Sequence, residues 1–192
     1  EDIKNYLKEA LKLELSDEKT LITNAQKPAK FLGFDIFIRR SNDLRKDING
    51  KTIRSLGHVP VLYLNYETMR KKLFDYKAAR IAVENGKEIW KSIVRTYMID
   101  LDDLEIVSQF NAEIRGFYNY YSIANNSPAI NSFYHIMSYS MYKTFARKYK
   151  SSVKKILFQY KKDGTFKVAY ENSKGKTLYQ SFYHDGFKRK KI

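Results

Sequence analysis

Asp102-Asp103-Leu104-Glu105-Ile106-Val107-Ser108-Gln109-Phe110-Asn111-Ala112-Glu113-Ile114-Arg115-Gly116-Phe117-Tyr118-Asn119-Tyr120-Tyr121 reads as one long amphipathic helix. Ile106, Val107, Phe110, Ile114, Phe117, Tyr118 and Tyr121 recur at steps of three or four, the period of a helix that buries one face. Asp102 to Glu105 has the form of an acidic capping box, which satisfies backbone N–H groups that the first turn leaves free. Toward the C-terminus, Asn125-Asn126 ends this helix and Ser127-Pro128 restarts another, with proline suited to a first turn. Its core positions are Ile130, Phe133, Ile136 or Met137, Met141 and Phe145. Ser151 or Ser152 caps a shorter helix carrying Val153, Ile156, Leu157 and Tyr160. A bundle of helices is thus expected at the centre of the fold.

Outward from the bundle the period changes. Phe166, Val168 and Tyr170 alternate, and so do residues from Leu178 to Tyr183, which predicts small strands near the C-terminus. On the other side, Asn65 is a plausible N-cap for a helix with Met69, Leu73 and Tyr76 on one face, followed by a looser stretch around Asn85-Gly86 that leads to Trp90. Earlier still, Val59 to Leu64 reads as a strand that Pro60 places at an edge. Phe31 to Arg39 reads as a half-buried strand, with Leu32, Phe34, Ile36 and Ile38 alternating. Between these two, Asn49-Gly50 marks a hairpin. The first residues form a short helix through Ile3, Leu7, Ala10 and Leu11, then two short strand candidates, at Leu13 and Leu15 and at Thr20 to Thr23. The fold class is α+β, with a small N-terminal sheet region, a mainly α-helical bundle, and a basic C-terminal tail with short strands.

The formal charge is +15, and it is unevenly placed. Residues 1–30 hold six Lys/Arg against six Asp/Glu, residues 31–142 fifteen against twelve, and residues 143–192 fifteen against three. The last segment alone therefore carries +12 (15 − 3) of the excess. Self-repulsion of this kind adds nothing to a fold, so a polyanionic partner is the natural explanation, with nucleic acid first and an anionic membrane surface second. Cysteine is absent, which excludes disulfides, thiolate zinc sites and thiol catalysis. No run approaches the ~18 apolar residues of a membrane-spanning helix. The N-terminus is unlike a signal peptide, so a cytoplasmic location in a bacterium is expected, with an organelle as the alternative that composition does not separate from it.

Several stretches have the look of a known family. Leu11 to Thr23, with the following Phe31-Leu32-Gly33-Phe34-Asp35-Ile36, resembles the end of the palm in group II intron-encoded reverse transcriptases. Asp103 to Val107 and Asn111 to Tyr121 resemble the start of that family's maturase domain, domain X, and Tyr142-Lys143-Thr144-Phe145-Ala146-Arg147-Lys148-Tyr149-Lys150 is similar to its second block. The resemblance implies residues 1–40 as the end of the palm and 41–100 as the first part of the thumb. It implies 101–165 as the helical thumb and maturase region and 166–192 as a basic tail. It also implies group II intron RNA as partner in splicing and retrohoming, and an RNA/DNA template-primer duplex as a further one. Neither a Tyr-X-Asp-Asp motif nor a Cys-rich nuclease segment occurs. The expectation is a portion that follows the polymerase active site: no enzyme by itself, no cofactor of its own, with magnesium expected only for the full-length polymerase.

The residues themselves point the same way. Asp100, Asp102, Asp103 and Glu105 form the only dense acidic cluster, and it is better explained by a helix N-terminus than by a metal site. His58, His135 and His184 lack ligand spacing. By contrast Lys143, Arg147 and Lys150 fall on one helical face, Lys148 lies beside them, and Lys154, Lys155, Lys161 and Lys162 extend the run. Not one acid interrupts the sequence from Lys143 to Lys162. Such charges contact phosphates without reading sequence. Arg115, Asn119 and Tyr120 are further candidates, either for RNA contact or for tying their helix to a neighbour. The rival readings are one part of an active RNA-directed DNA polymerase whose catalytic palm lies outside this chain, and a general basic nucleic-acid-binding module.

Overall fold

The computed structural model of the chain describes residues 2–14, 16, 24–39, 44–54 and 58–190. They form two compact units, one of Glu1–Lys30 with Ile36–Pro60, the other of Phe31–Asp35 with Val61–Ile192. The architecture is α+β.

In the first unit, helix α1 spans Asp2–Ala10. The N–H of Leu13 donates to Leu7 O at 3.0 Å, so Leu13 folds back on the helix instead of starting a strand. Leu15 and residues 20–23, the other strand candidates, lie outside the described residues. Strands β3 (Leu44–Lys46) and β4 (Thr52–Arg54) form the hairpin that Asn49-Gly50 predicts. Asp47 closes it, its Oδ1 accepting from the backbone N–H groups of Asn49 and Lys51 at 2.9 and 2.8 Å.

Strands β1 (Ala29–Phe31), β2 (Phe34–Arg39) and β5 (Val59–Leu64) make a sheet in the order β1-β2-β5. The expected continuous strand from Phe31 to Arg39 is therefore broken. Leu32 and Gly33 turn the chain with φ of 50° and 81°. A Cβ on Gly33 would lie 2.5 Å from the Tyr121 hydroxyl, so both backbone conformation and space require glycine there. β5 is an edge strand, as Pro60 predicts. Asn125 and Asn126 finish that edge like a short neighbouring strand. Their Oδ1 atoms accept from Leu62 N and Leu64 N at 3.0 and 2.7 Å, and Asn126 Nδ2 donates to Leu64 O at 3.1 Å.

The second unit opens with helix α2 (Tyr66–Asp75), capped by Asn65 as expected. Asn65 Oδ1 accepts from Glu67 N at 2.7 Å, while its Nδ2 donates to both carboxylate oxygens of Asp35. The segment that follows is a hairpin of β6 (Ala79–Glu84) and β7 (Lys87–Ser92), not a loose stretch. Asn85 and Gly86, with φ of 53° and 73°, form the tight turn that such a dipeptide favours. Only Ala79 of β6 is buried, so the strands lack the clean alternation that would have marked them in the sequence.

Helix α3 (Asp103–Tyr121) has the predicted capping box, and Glu105 Oε2 accepts from Asp102 N at 3.2 Å. A 3-10 turn at Ser127–Ala129 leads into α4 (Ile130–Lys148), and Ser152 caps α5 (Val153–Tyr160). Every apolar position expected on α3 is buried, and α4 buries Ile130, Phe133, Met137, Met141 and Phe145 against it. The rings of Phe117 and Phe133 stack at 4.1 Å across the two helices. Strands β8 (Lys161–Lys162), β9 (Thr165–Glu171) and β10 (Thr177–Ser181) form the expected C-terminal sheet.

The chain beyond β10 packs back on α3. Asn111 binds it at both ends of its amide, donating to Ser181 O at 2.8 Å and accepting from Tyr183 N at 2.7 Å. Phe187 is fully buried, Tyr118 Oη donates to Lys188 O, and Ser127 Oγ donates to Phe187 O.

Candidate nucleic-acid interface

The C-terminal end of α4 stops at a left-handed Lys150, with φ of 46°, and the Ser151 N–H closes the last turn onto Ala146 O at 2.8 Å. This bend swings the chain into α5. It leaves an open groove of about 780 Å³ lined by Lys143, Arg147, Lys148, Lys150 and, from the segment before α3, Val94, Ile99 and Asp100. Four of the predicted cationic residues thus share one concavity. Lys154 and Lys155 are exposed in the first turn of α5, directly after Val153, which also lines the groove.

The four groove cations are held differently. Lys143 Nζ donates to Ser92 O at 2.7 Å, which fixes the ammonium at the groove edge. Lys148 Nζ donates to Leu101 O at 2.6 Å and to Asp103 Oδ1 at 2.8 Å. Arg147 and Lys150 are exposed. Fixed cations shape the groove, and the exposed pair can follow a ligand's phosphates.

Asp103 is the anchor beneath this surface. Besides Lys148 it accepts hydroxyl hydrogen bonds from Tyr149 at 2.7 Å and from Tyr160 at 2.8 Å. Burial pushes the Tyr149 and Tyr160 hydroxyls above their ordinary range; for Tyr160 the bonds to Tyr149 and Asp103 add to the rise. The carboxylate was legible as a helix-terminus residue, but its three partners come from the last residue of α4, the residue after it and the end of α5, and no local spacing announces them. Among the described residues, no three His, Asp or Glu side chains converge on a point where they could hold a metal ion.

The remaining predicted residues lie elsewhere. Lys161 lines a second, smaller concavity with Tyr134, Tyr142 and His184, and the Lys162 ammonium sits 5.4 Å from the Tyr179 ring. Arg115 lies over the Tyr183 ring at 4.9 Å, which ties α3 to the returning tail. Asn119 is exposed, and its backbone carbonyl accepts from Ser122 Oγ. Tyr120 donates to Leu32 O at 3.1 Å and stacks on Phe34, holding the turn at Gly33.

Behind the interface lies an ion pair that sequence reasoning did not find. Arg95 is buried, its guanidinium 4.0 Å from the Phe110 ring centre and its Nη1 2.7 Å from Glu113 Oε2. That contact is close but outside hydrogen-bonding geometry, and Arg95 Nε has no hydrogen-bond partner. The Arg95 backbone N–H donates to Thr144 Oγ1 at 3.0 Å, which locks the segment before α3 onto α4.

Comparison with known proteins decides the family. The family model described as type II intron maturase matches residues 63–190, the whole helical bundle and its basic surface. This chain belongs to the type II intron maturase family. It is 38% identical over 177 residues to the group II intron-encoded protein LtrA of Lactococcus lactis subsp. cremoris, which covers 92% of this chain and 29% of that protein. It is also 33% identical over 161 residues to a putative COX1/OXI3 intron 1 protein of Saccharomyces cerevisiae, covering 78% of this chain and 18% of that one. The maturase chain thus spans less than a third of the length of these relatives.

Proposed function

We propose that this maturase segment binds structured group II intron RNA through the groove at the α4–α5 bend, and so assists splicing. One observation carries the reading: Lys143, Arg147, Lys148 and Lys150 converge on one open groove, on a chain whose family is that of intron maturases. Folded RNA presents closely spaced phosphates and 2′-hydroxyls, and cations set along a concave surface recognise that shape. In this reading the RNA supplies the splicing chemistry and the protein holds its structure. Nucleotide addition is assigned to the rest of the full-length protein, because this sequence carries no Tyr-X-Asp-Asp motif.

The test is competition binding of the purified chain to a group II intron RNA against an unrelated structured RNA and duplex DNA. The intron RNA should win over both. Equal affinity for all three would instead make this a general basic nucleic-acid-binding module. Magnesium-dependent primer extension by the purified chain alone would refute the division of labour.

A further inference from the structure

The hairpin β6–β7 lies beside α4, and between them is another open pocket, of about 470 Å³. Its walls are Tyr66, Ile89 and Trp90 on one side and Asn131, Ser132, His135 and Ile136 of α4 on the other. Trp90 is held in place there. Its Nε1 donates to Glu88 Oε1 at 3.0 Å, and that same oxygen accepts from Arg70 Nε at 3.0 Å. The Tyr66 ring leans on the indole at 4.3 Å. The indole therefore has its polar edge satisfied and its orientation set before any ligand arrives. Facing it are the Asn131 amide, whose Nδ2 donates to Pro128 O at 2.9 Å and whose oxygen can accept, a hydroxyl and an imidazole, the donor and acceptor types that read the edge of a nucleobase.

The position of the pocket supplies the second observation. Ser132, Ile136, Tyr139, Lys143 and Arg147 follow one another along α4 at steps of three or four, so they share a face. Tyr139 is exposed midway, its ring 4.7 Å from His135 and 5.8 Å from Tyr142. The strand opposite keeps pace, since Trp90 lines the pocket while Ser92 O, two residues on, accepts from Lys143 Nζ. From Ser132 to Arg147 the face runs roughly 22 Å at 1.5 Å per residue, the reach of a few nucleotides. Helix α4 contains no Asp or Glu. An aromatic pocket that leads along an acid-free helix face into a cationic groove is the pattern of a single-strand binding track.

We propose that the pocket between β7 and the first turns of α4 receives an unpaired RNA base stacked against Trp90. The phosphates of that strand then run along α4 toward Lys143, Arg147 and Lys150. The inference rests on the RNA-binding reading above and adds to it a chemical class, a splayed base on a single-stranded segment. An aromatic side chain of a protein partner is the competing occupant, and the acid-free face that leads to Lys143 and Arg147 argues against it.

Trp90 is the sole tryptophan of the chain, so its own emission reports on the pocket. The experiment titrates the full chain with an oligoriboadenylate and with duplex RNA of equal length, reading RNA anisotropy and Trp90 fluorescence together. The unpaired oligomer should quench Trp90 saturably in step with anisotropy, and the duplex should bind without quenching. His135→Ala removes an exposed ring and keeps the reporter. It should weaken binding of the unpaired oligomer by at least about fivefold, the lower end of one stacked base, and leave duplex binding unchanged. Anisotropy rising with Trp90 emission unchanged, or an unaffected His135→Ala, overturns the base pocket while RNA binding stands. Quenching by an aromatic peptide and not by the oligomer assigns the pocket to a protein and overturns it too. If neither RNA raises anisotropy, the RNA-binding reading falls with it.

Discussion

Arg95 sits where a packed core would ordinarily hold a Met or Leu, with Phe110 against its guanidinium and Glu113 beside it. Breaking one member of such a pair strands the other's charge in a poor solvent, which costs far more than the pair itself contributes. Arg95→Met alone should therefore lower stability by about 3–5 kcal/mol. Adding Glu113→Gln to it should recover a good part of that loss, and denaturant titration of the double-mutant cycle measures the coupling. Tyrosine gives a pH signature at the same scale. Burial, with the neighbouring Tyr134 and Tyr139, raises the Tyr142 hydroxyl from 10.0 to about 12. A raised folded value means that the unfolded chain releases its proton first. The contribution is therefore fully present below pH 10 and is lost as pH rises toward 12. Thermal melts of the native chain should fall across that window, and Tyr142→Phe should make the fall shallower.

At the scale of elements, the helices were legible and the hairpins were legible only in part. Ile106 to Tyr121 and Ile130 to Phe145 each repeat one period for more than four turns, so the pattern outweighs any local exception. The β6–β7 hairpin carries the same Asn-Gly signal that located β3 and β4, but its strands put few apolar residues on a common face. Contacts between elements were not legible at all. Asn125 and Asn126 looked like the end of a helix, yet they also complete the edge of a strand some sixty residues earlier in the chain. That role makes a prediction. Asn126→Ala would leave the Leu64 N–H and C=O without their side-chain partners, at a cost of about 1–3 kcal/mol. Asn119, exposed on α3, serves as the control: its substitution by Ala should change the melting temperature little.

For the whole molecule, the sequence shows that the positive charge is concentrated in residues 143–192, but not which of those charges are available to a ligand. The structure divides them. Lys143 and Lys148 are engaged with Ser92 O, Leu101 O and Asp103, whereas Arg147, Lys150 and Lys154 are exposed. Replacing the exposed three together by Ala should leave folding within about 1 kcal/mol, since exposed charges add little to stability. Each phosphate contact that they make releases counterions, so the same change should cut intron RNA affinity by about tenfold or more. It should also flatten the slope of log K against log salt by up to ~3. Lys148→Ala should behave in the opposite way. Asp103 and the Leu101 carbonyl would lose a partner at the start of α3, so the melting temperature should drop while the salt slope changes by no more than ~1. Thermal melts and filter binding at several salt concentrations on both variants separate the two kinds of lysine. A triple variant that melts early yet binds RNA with the native slope would show that the exposed cations hold the α4–α5 bend together and that the RNA lies elsewhere.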